Sequence, residues 1–130
     1  MPWWNVVFRS LNIGDTLFTP GRGLDGGNRR RPFTIISIES SSITIKSGKS
    51  SIRIEKECFD AIEDSFRENL EVKLRVASLH TNEPFPNSAD ELIRNATGSS
   101  LARGNYVCSI LERCNLVRYS MLGNKKVIVL

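Results

Sequence analysis

Arginine clustering is the feature of this chain that points most directly to chemistry. Gly21-Arg22-Gly23-Leu24-Asp25-Gly26-Gly27-Asn28-Arg29-Arg30-Arg31 sets three adjacent guanidinium groups, and a fourth at Arg22, into a glycine-rich stretch bounded by Pro20 and Pro32. A guanidinium is a rigid fork of N–H donors that matches phosphate oxygens, and glycine lets a backbone approach a ligand closely. A loop of this kind can clamp phosphates or enter a minor groove. A solvated loop of the same composition accounts for it almost equally well. Gly48-Lys49-Ser50 has the ending of a nucleotide-binding P-loop, but no glycine stands five residues before Gly48, so it reads as a hairpin turn.

The other reactive residue types are sparse. The three cysteines, Cys58, Cys108 and Cys114, are odd in number and none is paired at two-residue spacing. That argues against a disulfide framework or a zinc knuckle. All three fall in apolar periodic positions, where a free thiol behaves as a small hydrophobe in a reducing, cytoplasmic setting. The single histidine, His80, sits in a proline-containing stretch, so most histidine-based catalysis and metal ligation is excluded. No cofactor and no metal are expected. Trp3 and Trp4 read as an anchor for the terminus, one turned in and one out. Glu71-Val72-Lys73 has the Glu-x-Lys form of a magnesium nuclease strand, in which carboxylates bind the ion and the lysine steadies the attacking water. The upstream aspartate that such a site needs is missing from the neighbouring strands, and an alternating surface strand explains Glu71 and Lys73 as well.

At 130 residues, 40% apolar and 25% charged, the chain has the make-up of an ordinary globular protein of one domain or two very small ones. Its longest apolar run, Val127 to Leu130, is far short of the ~20 residues of a membrane helix. The first residues do not form a signal peptide. Charge is uneven along the chain: net +5 over residues 1–54, −6 over 55–91 and +5 over 92–130. Basic surfaces attract polyanions, of which nucleic acid is the commonest.

The elements that would position these groups follow from periodicity. Val6-Val7-Phe8 and Thr16-Leu17-Phe18 are short β-prone runs. Apolar residues then alternate at 33, 35, 43, 45, 52 and 54 with many β-branched side chains, which predicts an antiparallel meander with one buried face. Two more strands from the N-terminus would let it curl into a small barrel. Over residues 55–70 the period changes, and Phe59, Ile62, Phe66 and Leu70 form the apolar face of an acidic amphipathic helix. Residues 71–79 read as a strand or extended connector, and 80–88, with Pro84 and Pro86, as a linker. Ser88 with Glu91 resembles a capping box and opens a helix over 89–96 with Leu92, Ile93 and Ala96 inward. A second helix over 104–114 buries Val107, Ile110, Leu111 and Cys114. Two β-prone runs then flank Gly123-Asn124, a favoured tight turn.

Helix, glycine-containing turn, helix and hairpin, carried by Glu91-Leu92-Ile93-Arg94-Asn95-Ala96-Thr97-Gly98, by 105–114 and by Asn115-Leu116-Val117-Arg118, resemble the winged helix–turn–helix family. The link from Thr97 to Arg103 is longer than that family's usual turn. The resemblance implies that the second helix enters a major groove and the hairpin wing grips the adjacent backbone. Residue by residue, it implies that Asn105, Tyr106, Ser109 and Arg113 face outward to bases, Asn suiting adenine and Arg guanine. Ser99, Ser100 and Arg103 would hold phosphate at the start of that helix. Arg118, Lys125 and Lys126 would meet the backbone from the wing, with Arg22, Arg29, Arg30 and Arg31 as a second contact. The layout is also similar, more loosely, to DNA-reading modules of bacterial restriction and phage-defence proteins.

The fold class expected is therefore α+β: an N-terminal antiparallel β meander or small barrel, a central amphipathic helix, and a C-terminal winged-helix-like unit. The expected modules are 1–79 and 89–130, joined by the linker 80–88. The expected function is non-catalytic binding of double-stranded DNA in defence or transcriptional control, with any catalysis on a protein partner and no membrane involved. A protein–protein adaptor and a small magnesium nuclease are the alternatives.

Overall fold

The computed structural model describes residues 1–20, 31–75, 88–123 and 125–130. It is α+β, with helices and two antiparallel sheets packed around a shared apolar cluster that runs from Trp4 to Ile128.

The chain opens with a helix, α1 (Trp3–Ser10), where the β-prone run Val6-Val7-Phe8 predicts a strand. Pro2 stands at its N-cap, a place that costs nothing because the first amides of a helix lack intrahelical partners anyway. Trp4, Val7 and Leu11 are buried at three- and four-residue spacing. Burial of that stripe on a neighbouring helix overrides the β preference of two valines, since local propensity is worth only tenths of a kcal/mol per residue.

β1 (Thr16–Phe18), β2 (Pro32–Ile38), β3 (Ser42–Ser47) and β4 (Ser50–Glu55) form the first sheet in the order β1-β2-β3-β4. This is the predicted meander. It stays open rather than closing into a barrel: the pairings run from each strand to the next, and none joins β1 to β4 among the described residues. Leu17, Phe33, Ile35, Ile43, Ile45 and Ile54 point to the core. The register shifts between Ile35 and Ser37, so Ile36 is an extra residue turned toward solvent. Ser47 pairs with Ser50 across a two-residue turn in which Gly48 has φ +59°, a conformation that suits glycine.

α2 (Lys56–Glu68) leaves β4 directly, with Glu55 at its N-cap. Cys58, Phe59, Ile62 and Phe66 are buried. Leu70, expected on the same face, lies beyond the helix end and is 70% exposed. α1 lies on α2: the Trp3 and Phe66 rings are 5.9 Å apart, those of Trp4 and Phe59 5.5 Å, and the Trp3 amide donates to Glu63 Oε1 at 2.8 Å.

The second sheet joins residues distant in sequence. β5 (Leu74–Arg75), β6 (Arg118–Leu122) and β7 (Lys125–Val129) lie in the order β5-β7-β6. Between β5 and β6 come α3 (Ala89–Thr97) and α4 (Gly104–Arg113). The Ser88 hydroxyl accepts the Glu91 amide at 3.0 Å, so the predicted cap starts α3, and Gly98 ends it at φ +69°. Ile93 is buried as expected, but Ala96 is exposed and the charged pair Asp90–Arg94 occupies the inner face with it. The linker expected over 80–88 lies outside the described residues except for Ser88, which bridges to Arg75.

Candidate nucleic-acid interface

α4 is the helix for which the winged-helix resemblance implies base contacts, and its surroundings decide what it can do. Val107, Cys108, Ile110 and Leu111 are buried in the core, as their spacing predicts. The opposite side is also used. Ser109 is buried, and its hydroxyl donates to the Phe18 carbonyl of β1 at 2.8 Å, with the Tyr119 hydroxyl at 3.2 Å. Tyr106 is half-buried. Its ring meets Phe33 edge-on at 5.2 Å and its hydroxyl donates to Ser47 Oγ at 3.3 Å. The outward placement expected for Tyr106 and Ser109 is therefore corrected: the first sheet covers this side of α4. The physical reason is that β1–β4 must bury a row of isoleucines and Phe33, and α4 offers an apolar and hydroxyl-bearing surface to do it.

Arg103 receives the larger correction. It was expected at the start of α4 as a phosphate ligand, but it is only 1% exposed. Its amide donates to Asp90 Oδ1 at 3.2 Å, and its guanidinium donates to the Arg53 carbonyl at 2.9 Å and to Thr97 Oγ1 at 3.1 Å. The guanidinium also pairs with the Glu55 carboxylate. Burial works against the charged form of Glu55, yet its own backbone amide and the Arg103 guanidinium hold its carboxyl below the ordinary value. A second buried pair, Asp90–Arg94 at 2.9 Å, stands beside this group on α3. These charges join α3, α4 and β4 and are not available to a ligand.

The remaining predicted residues are spread over different surroundings. Ser99 is half-buried and its hydroxyl accepts the Leu101 amide at 3.1 Å, while Ser100 is exposed. Asn105 is half-buried, and Arg113 is exposed at the C-terminal end of α4 rather than at the end that would meet a groove first. On the hairpin, Arg118 is exposed and the Lys126 ammonium lies 5.3 Å from the centre of the Tyr119 ring, a cation–π contact. Arg31 is exposed beside β2, its amide donating to Thr19 Oγ1 at 2.9 Å. Arg22, Arg29 and Arg30, and the side chain of Lys125, lie outside the described residues.

Sequence reasoning passed over the cations on the outer side of the first sheet. Lys46 and Arg53 alternate with Ile45, Ile52 and Ile54, so the same period that identifies the strands turns both of them to solvent. Lys49, in the β3–β4 turn, is exposed as well.

The thiols are held in their protonated form. Burial pushes the Cys58 thiol up to about 12 and the half-buried Cys114 thiol up to about 11, and raises Cys108 further still. Glu71 and Lys73 are exposed on the approach to β5, and the nearest upstream aspartates on α2 are engaged elsewhere, Asp60 with Lys56 at 2.8 Å and Asp64 with Arg67 at 3.3 Å. No group of three or more His, Cys, Asp or Glu side chains is arranged to hold a metal ion among the described residues. No helix among them is long and apolar enough to cross a membrane.

Comparison with known family models, curated proteins and solved structures gives no match to this chain.

Proposed function

We propose that this chain binds double-stranded DNA without catalysing a reaction on it. The observation that carries the reading is the β6–β7 hairpin with Arg118 exposed on it, set at the end of the series α2, β5, α3, α4, β6, β7 with sheet order β5-β7-β6. That is the order of helices, strands and wing in a winged helix, and a basic hairpin is the part of that unit that meets phosphate. With Tyr106 and Ser109 engaged by the first sheet, the binding mode is led by the backbone rather than by base contacts from α4. A cytoplasmic location and a role in defence or transcriptional control, with chemistry supplied by a protein partner, belong to the same proposal.

The competing reading is a protein adaptor that never meets DNA. It is favoured by the same occupied face of α4, since a helix used internally does not read a groove.

Fluorescence anisotropy with a labelled random-sequence duplex, at two salt concentrations and with or without magnesium, separates the readings. Binding that weakens steeply with salt while the duplex stays intact is the expected result. No binding at low salt removes the proposal in favour of the adaptor. Cleavage in magnesium, lost on Glu71→Ala, would instead support the nuclease.

A further inference from the structure

Strand pairing aligns the solvent-facing residues of the first sheet into rungs. Thr16, Thr34, Lys46 and Ser51 form one across all four strands, and Ser37, Thr44 and Arg53 form the next. Lys46, Ser51 and Arg53 are exposed, and Thr34 and Thr44 are half-exposed. Lys46 and Arg53 are diagonal neighbours on adjacent strands, a relationship that places Cα atoms roughly 7–8 Å apart. Lys49 projects from the turn at the same end as Lys46.

Ion pairing divides the cations among the described residues. Lys56, Arg67, Arg94 and Arg103 are all held in ion pairs. Lys46, Lys49 and Arg53 have no carboxylate partner among the described residues. The only acidic residue in the paired rungs of this face is Glu55, whose carboxylate is bound to Arg103. Around Lys46, Lys49 and Arg53 the face therefore combines positive charge with a field of hydroxyl donors, and the exposed carboxylate of Glu39 lies at its far end, beside the Ser42–Glu55 pair.

We infer that the outer face of β1–β4 is a second DNA-contact surface, occupied by the phosphate backbone of a duplex. The inference rests on the proposed function for the nature of its occupant. Charge complementarity selects the occupant. A duplex strand presents one phosphate per about 3.4 Å of axis, so two long cationic side chains carried on backbone positions roughly 7–8 Å apart can engage one backbone together. Serine and threonine hydroxyls add neutral donors to phosphate oxygens, as they do at protein–DNA interfaces generally. The contact is blind to sequence, because phosphate contacts carry no base information.

The test compares duplex binding by the whole chain, by Lys46→Gln/Arg53→Gln and by Arg118→Ala. Neither Lys46 nor Arg53 contributes its side chain to the core, and the Arg53 carbonyl bonded to Arg103 is retained in the variant. Loss of two phosphate contacts is expected to lower affinity on the order of tenfold at moderate salt and to reduce the salt slope by about 1.8 units, alike for unrelated duplexes. Lys46→Arg/Arg53→Lys, which keeps both charges, is expected to bind as the parent chain does. If the Gln variant binds as tightly as the parent while Arg118→Ala is weakened, the sheet surface is overturned and the functional reading stands. If the parent binds no duplex at low salt, the functional reading itself fails and takes this occupant with it.

Discussion

Arg103 and Glu55, separated by 48 positions in the sequence, are bound to each other across the boundary between the N-terminal sheet and the C-terminal helices. The arginine is buried, while about a third of the Glu55 side chain is exposed. The pair is thus asymmetric. The carboxylate keeps some contact with water, whereas the guanidinium depends wholly on its protein partners. It orders the start of α4 against β4 and converts a residue with the look of a phosphate ligand into part of the scaffold.

Removing the arginine tests that role. Arg103→Ala vacates bonds to Glu55, Thr97 and the Arg53 carbonyl. Breaking a buried pair costs about 3–5 kcal/mol, and the partial exposure of Glu55 argues for the lower end. The measurement is urea unfolding, where a lower midpoint at unchanged slope is the expected outcome. An unchanged midpoint would mean that the pair does not hold the two halves together.

The same pair makes stability depend on pH. In the folded chain the Glu55 carboxyl lies below its ordinary value of 4.5, with burial opposed by its backbone amide and Arg103. The unfolded chain therefore binds this proton more readily. Its contribution is fully present above the unfolded value and is lost as pH falls through the lower folded value. Glu55→Gln should remove that contribution, so the stability difference from the parent chain should shrink on acidification below pH 4.5. A difference that stays constant from neutral to acidic pH would sink the assignment.

The covered side of α4 yields a prediction that separates structure from DNA contact. Ser109→Ala leaves the Phe18 carbonyl without its donor, and Tyr106→Phe removes the hydroxyl bonded to Ser47. Each should lower stability by about 1 kcal/mol. Neither should alter duplex affinity under conditions where both variants are folded. A drop in affinity without a drop in stability would show that α4 leaves the sheet to meet DNA.

Much of the fold was legible because its patterns are local. Alternation at Phe33, Ile35, Ile43, Ile45 and Ile54 marked the meander, the spacing of Phe59, Ile62 and Phe66 marked α2, and Ser88 with Glu91 marked the start of α3. The same alternation already held the position of Lys46 and Arg53, since a strand that buries isoleucines on one side must expose what lies between them. The candidate site was harder to read, because exposure of a helix side chain depends on what else packs on the helix. Ser109 and Tyr106 look like surface residues on an isolated α4 and are enclosed only when β1–β4 arrives.

The sequence by itself determined the strand and helix periods, the caps, the basic and acidic segments and the scarcity of cysteine and histidine, all of which act within a few residues. Tertiary structure alone decided three things. It made Val6-Val7-Phe8 helical by giving Trp4 and Val7 a buried place beside α2. It paired β5 with β7 across the intervening helices. It also buried Arg103 against Glu55, because a cation taken from water must find its partners in space, and no local spacing records where those partners are.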